Sequence, residues 1–298
     1  MAVGCSTSTV VGHEEYKYIA LGDSIAKGYK LDNPEQNSYP SLIANELPTI
    51  NGGRSVNFEN YAVTGMTSTA LLTLLTEDAV DFDGANLVTT CIGANNLLKP
   101  LNSAFREITE EYGINDGSVE FDKFGELLSA LNTFLETKEM TAAFEAGIEE
   151  FVADFEKIIS IVKSKAPNAL IVVMTIYSPY KDFNLSLPYL GKALSVGTVS
   201  DKWVYLLNEQ IIALSEKCGC LTVDTFEAFA SENDCVNATI GLVPPRFSYD
   251  PHPTLKGHEL IANLHIERLK EYFANNNAVA CHSVMLLCRI RIGSLVIR

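Results

Sequence analysis

A chain of 298 residues is long enough for one large domain or two small ones. With 47% hydrophobic and 20% charged residues it has ordinary globular usage, which excludes a disordered chain, a collagen-like repeat and a disulfide-held miniprotein. Its 22 basic and 37 acidic side chains leave a formal charge of −15, a surface that repels phosphate backbones, so no nucleic-acid partner is expected. No stretch approaches about 18 uncharged apolar residues, so no transmembrane segment is expected either.

Residues 1–15 read as a flexible leader. Met1 to Gly12 has no basic n-region and no apolar h-region, so as written it carries no signal peptide. Ala2-Val3-Gly4-Cys5, followed by Ser6-Thr7-Ser8-Thr9, is nevertheless similar to a bacterial lipoprotein cleavage box with its polar tether. Export with a lipid anchor and a cytoplasmic location both stay open. At the other end, residues 278–298 lose all Asp and Glu and keep three Arg beside the run Val284-Met285-Leu286-Leu287-Cys288. The break follows Asn275-Asn276-Asn277, so these residues read as an appendage to a single domain over 16–277. Cysteines 5, 91, 218, 220, 235, 281 and 288 form no CxxC pair and no Cys/His set with zinc spacing. Cys218 or Cys220 with Cys235 would suit one disulfide in an exported protein.

Taken in order, Tyr16 to Leu21 is a strand stopped by Gly22-Asp23-Ser24. Ser38 to Leu47 is a short helix, Ser55 to Val63 a strand, Thr67 to Thr76 a helix, and Asn86 to Ile92 a strand ending at Gly93-Ala94-Asn95-Asn96. The stretch from about 97 to 141 loosens, with Gly113, Gly117 and Gly125 among acidic and aromatic residues, and reads as an insertion. Ala142 to Lys165 repeats apolar residues at three- and four-residue steps and is a helix that Pro167 ends. Leu170 to Ile176 is a buried strand, Lys202 to Cys218 a helix, Leu221 to Val223 a short strand, and Leu255 to Phe273 a final helix. This alternation predicts an α/β protein, a three-layer α/β/α sandwich around a central parallel sheet. Ligands in such sheets bind beyond the carboxyl ends of the strands.

Four short blocks stand at those ends: Gly22-Asp23-Ser24-Ile25 after the first strand, Ala62-Val63-Thr64-Gly65 after the second, Gly93-Ala94-Asn95-Asn96 after the third, and Asp250-Pro251-His252-Pro253 before the last helix. In this order they resemble the GDSL family of esterases and lipases, also called SGNH hydrolases, whose sheet is flavodoxin-like. The resemblance spans residues 22 to 253. A serine hydroxyl becomes a useful nucleophile only beside a base, and Ser24, on a turn after a buried strand, is placed to expose its oxygen. A helix N-cap is the bland alternative for Ser24. The resemblance implies His252 as the base and an oxyanion hole made of the Ser24 N–H, the Gly65 N–H and the Asn95 side-chain amide. Alone, Gly65 and Asn95 would be ordinary turn residues.

Two departures matter. The family usually carries its acid three residues before the histidine, where this chain has Tyr249; its aspartate, Asp250, lies two before. Pro251 and Pro253 push Asp250 and His252 toward extended backbone, in which residues two apart share a side, so Asp250 is the candidate partner of the imidazole. Otherwise a Ser–His dyad remains. The second departure is Asn96, where the family usually has Asp.

The remaining histidines have plainer readings: His13 and His282 are solvated, while His258 and His265, seven apart on the last helix, pack or face solvent. Asn102 to Glu139 is expected to cover the site in part, and Tyr177, Tyr180, Phe183 and Tyr189 to line an acyl pocket or pack ordinarily. The expected function is cofactor-independent, metal-free hydrolysis of carboxylic esters through an acyl-enzyme on Ser24. Its substrates would be short- to medium-chain esters, lysophospholipids or acetylated sugars. A short-chain preference is expected because no long apolar lid helix is evident. Transfer of the acyl group to an alcohol, or a silent binding module on the same fold, are the alternatives.

Overall fold

The computed structural model describes residues 15–112, 121–187, 192–242 and 245–293. The leader, with its cleavage-box-like segment, and Tyr189 lie outside them. In chain order the elements begin with β1 (Tyr16–Gly22), α1 (Ser24–Lys27), α2 (Pro34–Asn37), α3 (Tyr39–Ile50), β2 (Val56–Asn60), α4 (Ser68–Thr76) and β3 (Ala85–Cys91). Three helices follow, α5 (Ala94–Glu111), α6 (Phe121–Leu135) and α7 (Lys138–Lys165), then β4 (Leu170–Met174) and a hairpin of β5 (Asn184–Leu187) and β6 (Lys192–Ser195). The chain continues through α8 (Val196–Lys217), β7 (Leu221–Val223), α9 (Thr225–Ser231), a second hairpin of β8 (Thr239–Leu242) and β9 (Pro245–Ser248), and α10 (Leu255–Gly293).

All seven residues of β1 are buried, which is why its sequence shows no polar–apolar alternation: a strand covered on both faces has no wet side. β1 pairs in parallel with β2 on one side and β3 on the other, and β4 and β7 extend the sheet beyond β3. The order β2-β1-β3-β4-β7 is that of a doubly wound, flavodoxin-like sheet. α3 and α10 pack together on one side, and α7 packs with α4 and α8 on the other. The chain reverses its direction of travel between β1 and β3, so their carboxyl ends flank a crevice.

Several expectations change. The stretch from 97 to 141 is not loose: α5 and α6 occupy most of what is described of it. Leu97, Leu101, Phe105 and Ile108 give α5 a buried stripe at helical spacing that outweighs the breaker Pro100, and Leu127, Leu128, Leu131 and Leu135 do the same for α6 against Gly125. Of the two readings for Tyr180 and Phe183, packing holds: both are buried in ring-to-ring contact 5.4 Å apart. Both hairpins and α9 escaped the sequence reading, being too short for a periodic signal. α10 runs past Phe273 to Gly293, because Asn costs a helix only a few tenths of a kcal/mol and no Pro interrupts it. Cys91, Cys218, Cys220 and Cys235 are free thiols. His258 and His265 turn inward and stack on Tyr39, whose N–H donates to His258 Nδ1 at 3.2 Å. Burial pushes both imidazoles down to about 4. Among the described residues no helix is long and apolar enough to cross a membrane.

One close approach fixes α5 against α7. Pro100 has no N–H for the carbonyl of Asn96, and that carbonyl faces Gly147, where an added Cβ would lie 2.2 Å from its oxygen. In an open helix Gly→Ala stabilises by about 1 kcal/mol. Here Gly147→Ala is expected to destabilise by about 1–3 kcal/mol through overpacking, read as a lower urea midpoint at unchanged slope.

Candidate active site

β1 ends at Gly22, and the next residue, Asp23, caps α1: its Oδ1 accepts the Ile25 N–H at 2.9 Å. The cap is therefore Asp23 and not Ser24, whose hydroxyl is left for other partners. Ser24 Oγ lies 2.9 Å from His252 Nε2. On the far side of the ring, His252 Nδ1 lies 2.6 Å from Asp250 Oδ1, and the same oxygen accepts the His252 N–H at 3.2 Å. The two-residue spacing thus folds the carboxylate back onto its own histidine in one continuous line, serine to imidazole to acid.

Nothing in segment 249–253 is regular secondary structure, and three side chains from elsewhere hang it by its carbonyls. The Tyr180 hydroxyl donates to Tyr249 O at 2.9 Å and the Tyr177 hydroxyl to Pro251 O at 2.7 Å. Asn237 donates to His252 O from its N–H at 2.9 Å and its amide at 3.1 Å. These residues escaped the sequence reading as positioning groups, since a phenol aimed at a distant carbonyl leaves no local signature. Tyr29 was also missed: its ring lies 4.8 Å from that of His252.

Gly65 and Asn95 border the same cavity as Ser24 and His252. Gly65 has φ +78°, with open space where a Cβ would stand, so backbone conformation and not crowding asks for glycine there. The Asn95 amide donates to Met66 O at 3.0 Å and to Asp23 Oδ2 at 3.2 Å. Asn96 is buried and pairs twice with Ser68, accepting its N–H at 3.1 Å and donating to its hydroxyl at 2.9 Å. A carboxylate still stands nearby, because Asp154 on α7 accepts from Ser68 and Thr69 at 3.3 and 2.6 Å. Behind Ser24 the crevice opens into a cavity of about 220 Å³. Its apolar walls include Leu97 and Leu101 of α5, Leu135 of α6, Phe144 of α7 and Trp203 of α8. Tyr177 lines it too, whereas Tyr180 and Phe183 do not.

Fold and site define a class: a doubly wound parallel sheet with a serine, an imidazole and a carboxylate in hydrogen-bonded line at its carboxyl edge. The GDSL-like Lipase/Acylhydrolase family matches residues 20–260, and the chain belongs to that family. It is 25% identical over 169 residues to the uncharacterized protein YpmR of Bacillus subtilis (strain 168), a match covering 56% of this chain and 53% of that one. The chain thus spans about half the length of the curated relative it matches. Solved structures share the fold. Lipase Lip_vut3 from a goat rumen metagenome is 16% identical with a TM-score of 0.57, over 85% of this chain and 97% of that one. Phospholipase A1 from Streptomyces albidoflavus NA297 is 19% identical with a TM-score of 0.53, over 85% and 99%. The acetylxylan esterase Axe2 from Geobacillus stearothermophilus is 15% identical with a TM-score of 0.53, over 87% and 95%.

Two carboxyl groups near the serine have opposite environments. Burial would raise Asp250, but hydrogen bonds from His252 and Lys30 overcome it and hold the acid down at about 2. Asp23 is fully buried, and burial pushes it up to about 7 despite the Ile25 N–H and the nearby His252. The folded state therefore favours protonated Asp23, and this group's contribution falls as pH rises from about 3.8 to about 7, then levels. A carboxyl ¹³C titration is expected to show one Asp resonance with a midpoint near 7. That resonance should vanish in Asp23→Asn.

Proposed function

We propose that this protein is a serine hydrolase of carboxylic esters whose acyl group occupies the apolar cavity behind Ser24. The observation that carries the reading is the 2.9 Å contact between Ser24 Oγ and His252 Nε2 at the mouth of that cavity. His252 Nε2 accepts the Ser24 proton as Oγ attacks the ester carbonyl, and Asp250 keeps Nδ1 protonated and stabilises the charged ring. The oxyanion is received by the Ser24 N–H, the Gly65 N–H and the Asn95 amide, each donor worth a few kcal/mol of barrier. Asn95 exchanges its longer contact, to Asp23, for the oxyanion. The imidazolium returns its proton to the departing alcohol. Water, giving its proton to the same nitrogen, then cleaves the acyl-enzyme to free acid and serine.

The cavity supports an acyl chain of medium length over acetyl. A water-sized group needs about 10–15 Å³ of such space, a small part of 220 Å³. Part of its wall comes from α5 and α6, in the stretch that reads as loose in sequence, and the rest from α7 and α8; this volume argues for medium chains, against the short-chain preference expected from the lack of a long apolar lid helix. Of the activities named for the similar folds, lipase and phospholipase A1 suit such a wall better than acetylxylan esterase.

Ser24→Ala is expected to lower kcat/KM for p-nitrophenyl octanoate by at least about a thousandfold while leaving the fold intact. Wild-type turnover retained in that variant refutes the nucleophile. In a panel from acetate to palmitate, activity should peak at intermediate chains. Trp203, whose ring is tilted against that of Phe144 with centroids 5.1 Å apart, lines the cavity, so Trp203→Ala should favour longer esters by roughly fourfold per extra methylene housed. A wild-type optimum at acetate would refute the acyl-pocket assignment.

A further inference from the structure

The short acid-to-histidine spacing leaves Asp250 with one oxygen on His252 and the other turned outward. Lys30 meets that second oxygen: its Nζ lies 2.8 Å from Asp250 Oδ2, in a pair where the lysine is half exposed and the acid largely covered. Lys30 reaches this place through unusual backbone. Its φ is +68°, a left-handed conformation that L side chains other than Asn and Asp seldom adopt. It lies between Gly28 at +73° and Asn33 at +54°. Such an outlier persists only where its surroundings impose it. Here the preceding residue is tied to the nucleophile's turn, the Tyr29 N–H donating to Ser24 O at 3.0 Å. Residues 29 and 30 together thus lay a ring against the imidazole and a cation on the acid.

We propose that Lys30 is a positioning residue for Asp250: it grips the second carboxylate oxygen so that the first stays on His252, and so sets the pH range in which the imidazole acts as a base. The inference rests on the serine-hydrolase reading. Without the ammonium the carboxylate loosens at Oδ2, while Oδ1 is still held by the His252 N–H. Its charge, no longer shared, favours a protonated ring more strongly, and the acid limb of activity moves to higher pH. Besides Tyr29, whose ring lies 4.8 Å from that of His252 and 5.8 Å from Lys30 Nζ, titratable groups facing this pair include Asp23 from the end of β1, His258 from α10, and the phenols of Tyr177 and Tyr180 beyond β4. His258 is neutral above about 4, and burial keeps both phenols protonated. Asp23 titrates near 7, so a rate profile alone would mix its ionisation with that of the ring.

The test therefore reads the imidazole as well as the rate, in Lys30→Met and Lys30→Arg. In K30M the His252 NMR titration and the acid limb of kcat/KM should rise together by roughly half a unit to one unit, the effect of one charge a few ångströms away. kcat should fall with KM little changed, because Lys30 does not line the acyl cavity. K30R should restore both, and added salt should move wild type part of the way toward K30M. A K30M titration and acid limb at wild-type pH would overturn the proposal, as would equal kcat losses in K30M and K30R with no titration shift. If wild type itself cleaves no ester through Ser24, the hydrolase reading fails separately, and the His252 titration still decides whether Lys30 governs the acid.

Discussion

Ser24 Oγ and His252 Nε2 stand 2.9 Å apart across 228 residues of sequence, and most of the architecture bears on that distance. The serine end is rigid because β1 is buried along its whole length, and because Asp23, immediately after it, caps α1 from inside the core. The histidine end has no such support of its own. It is a proline-flanked segment outside helix or strand, and its place is set by Tyr177, Tyr180 and Asn237, each donating to one of its carbonyls. Two of those donors follow β4, so the central sheet acts on the histidine through phenols, and the third, Asn237, precedes the β8–β9 hairpin. Hydrogen bonds to these part-buried carbonyls suit this task, since breaking one costs a partly desolvated acceptor its partner.

Charge around the pair is arranged in opposite senses. Asp250, gripped by His252 and Lys30, stays ionised far into acid, while Asp23, walled in by the core, gains a proton near neutrality. Two carboxyl groups flanking one serine thus have different partners: Asp250 is hydrogen-bonded to the imidazole, and Asp23 holds a helix start and the Asn95 amide. His258, buried behind the site, stays neutral and adds no competing cation at pH 7.

The apolar cavity depends on a different part of the chain. α5 leaves the carboxyl end of β3 and α7 packs across it, the two held close by the contact between Gly147 and the Asn96 carbonyl. The same turn that presents Asn95 to the crevice therefore begins the helix that supplies Leu97 and Leu101 to the cavity wall. The Asn95 amide and part of the apolar wall are successive turns of one element.

The main strands in chain order, the parallel sheet and the four loop blocks were legible in the sequence because each depends on local signals: unbroken apolar runs, turn glycines and the residues straight after them. The helices over 97–141 were not, since Pro100 and Gly125 speak locally against a helix and only burial of the Leu97–Ile108 stripe on α5 and the Leu127–Leu135 stripe on α6 outweighs them. The sequence by itself determined which serine, histidine, glycine and asparagine stand at strand ends, and that Asp250 and His252 share a side of extended backbone. Tertiary structure alone decided that Lys30 meets Asp250, that two tyrosines hold the histidine segment and that Tyr29 covers its ring. These contacts join residues tens to hundreds of positions apart, and no periodicity or propensity carries information over that distance; only the packed sheet brings them into reach.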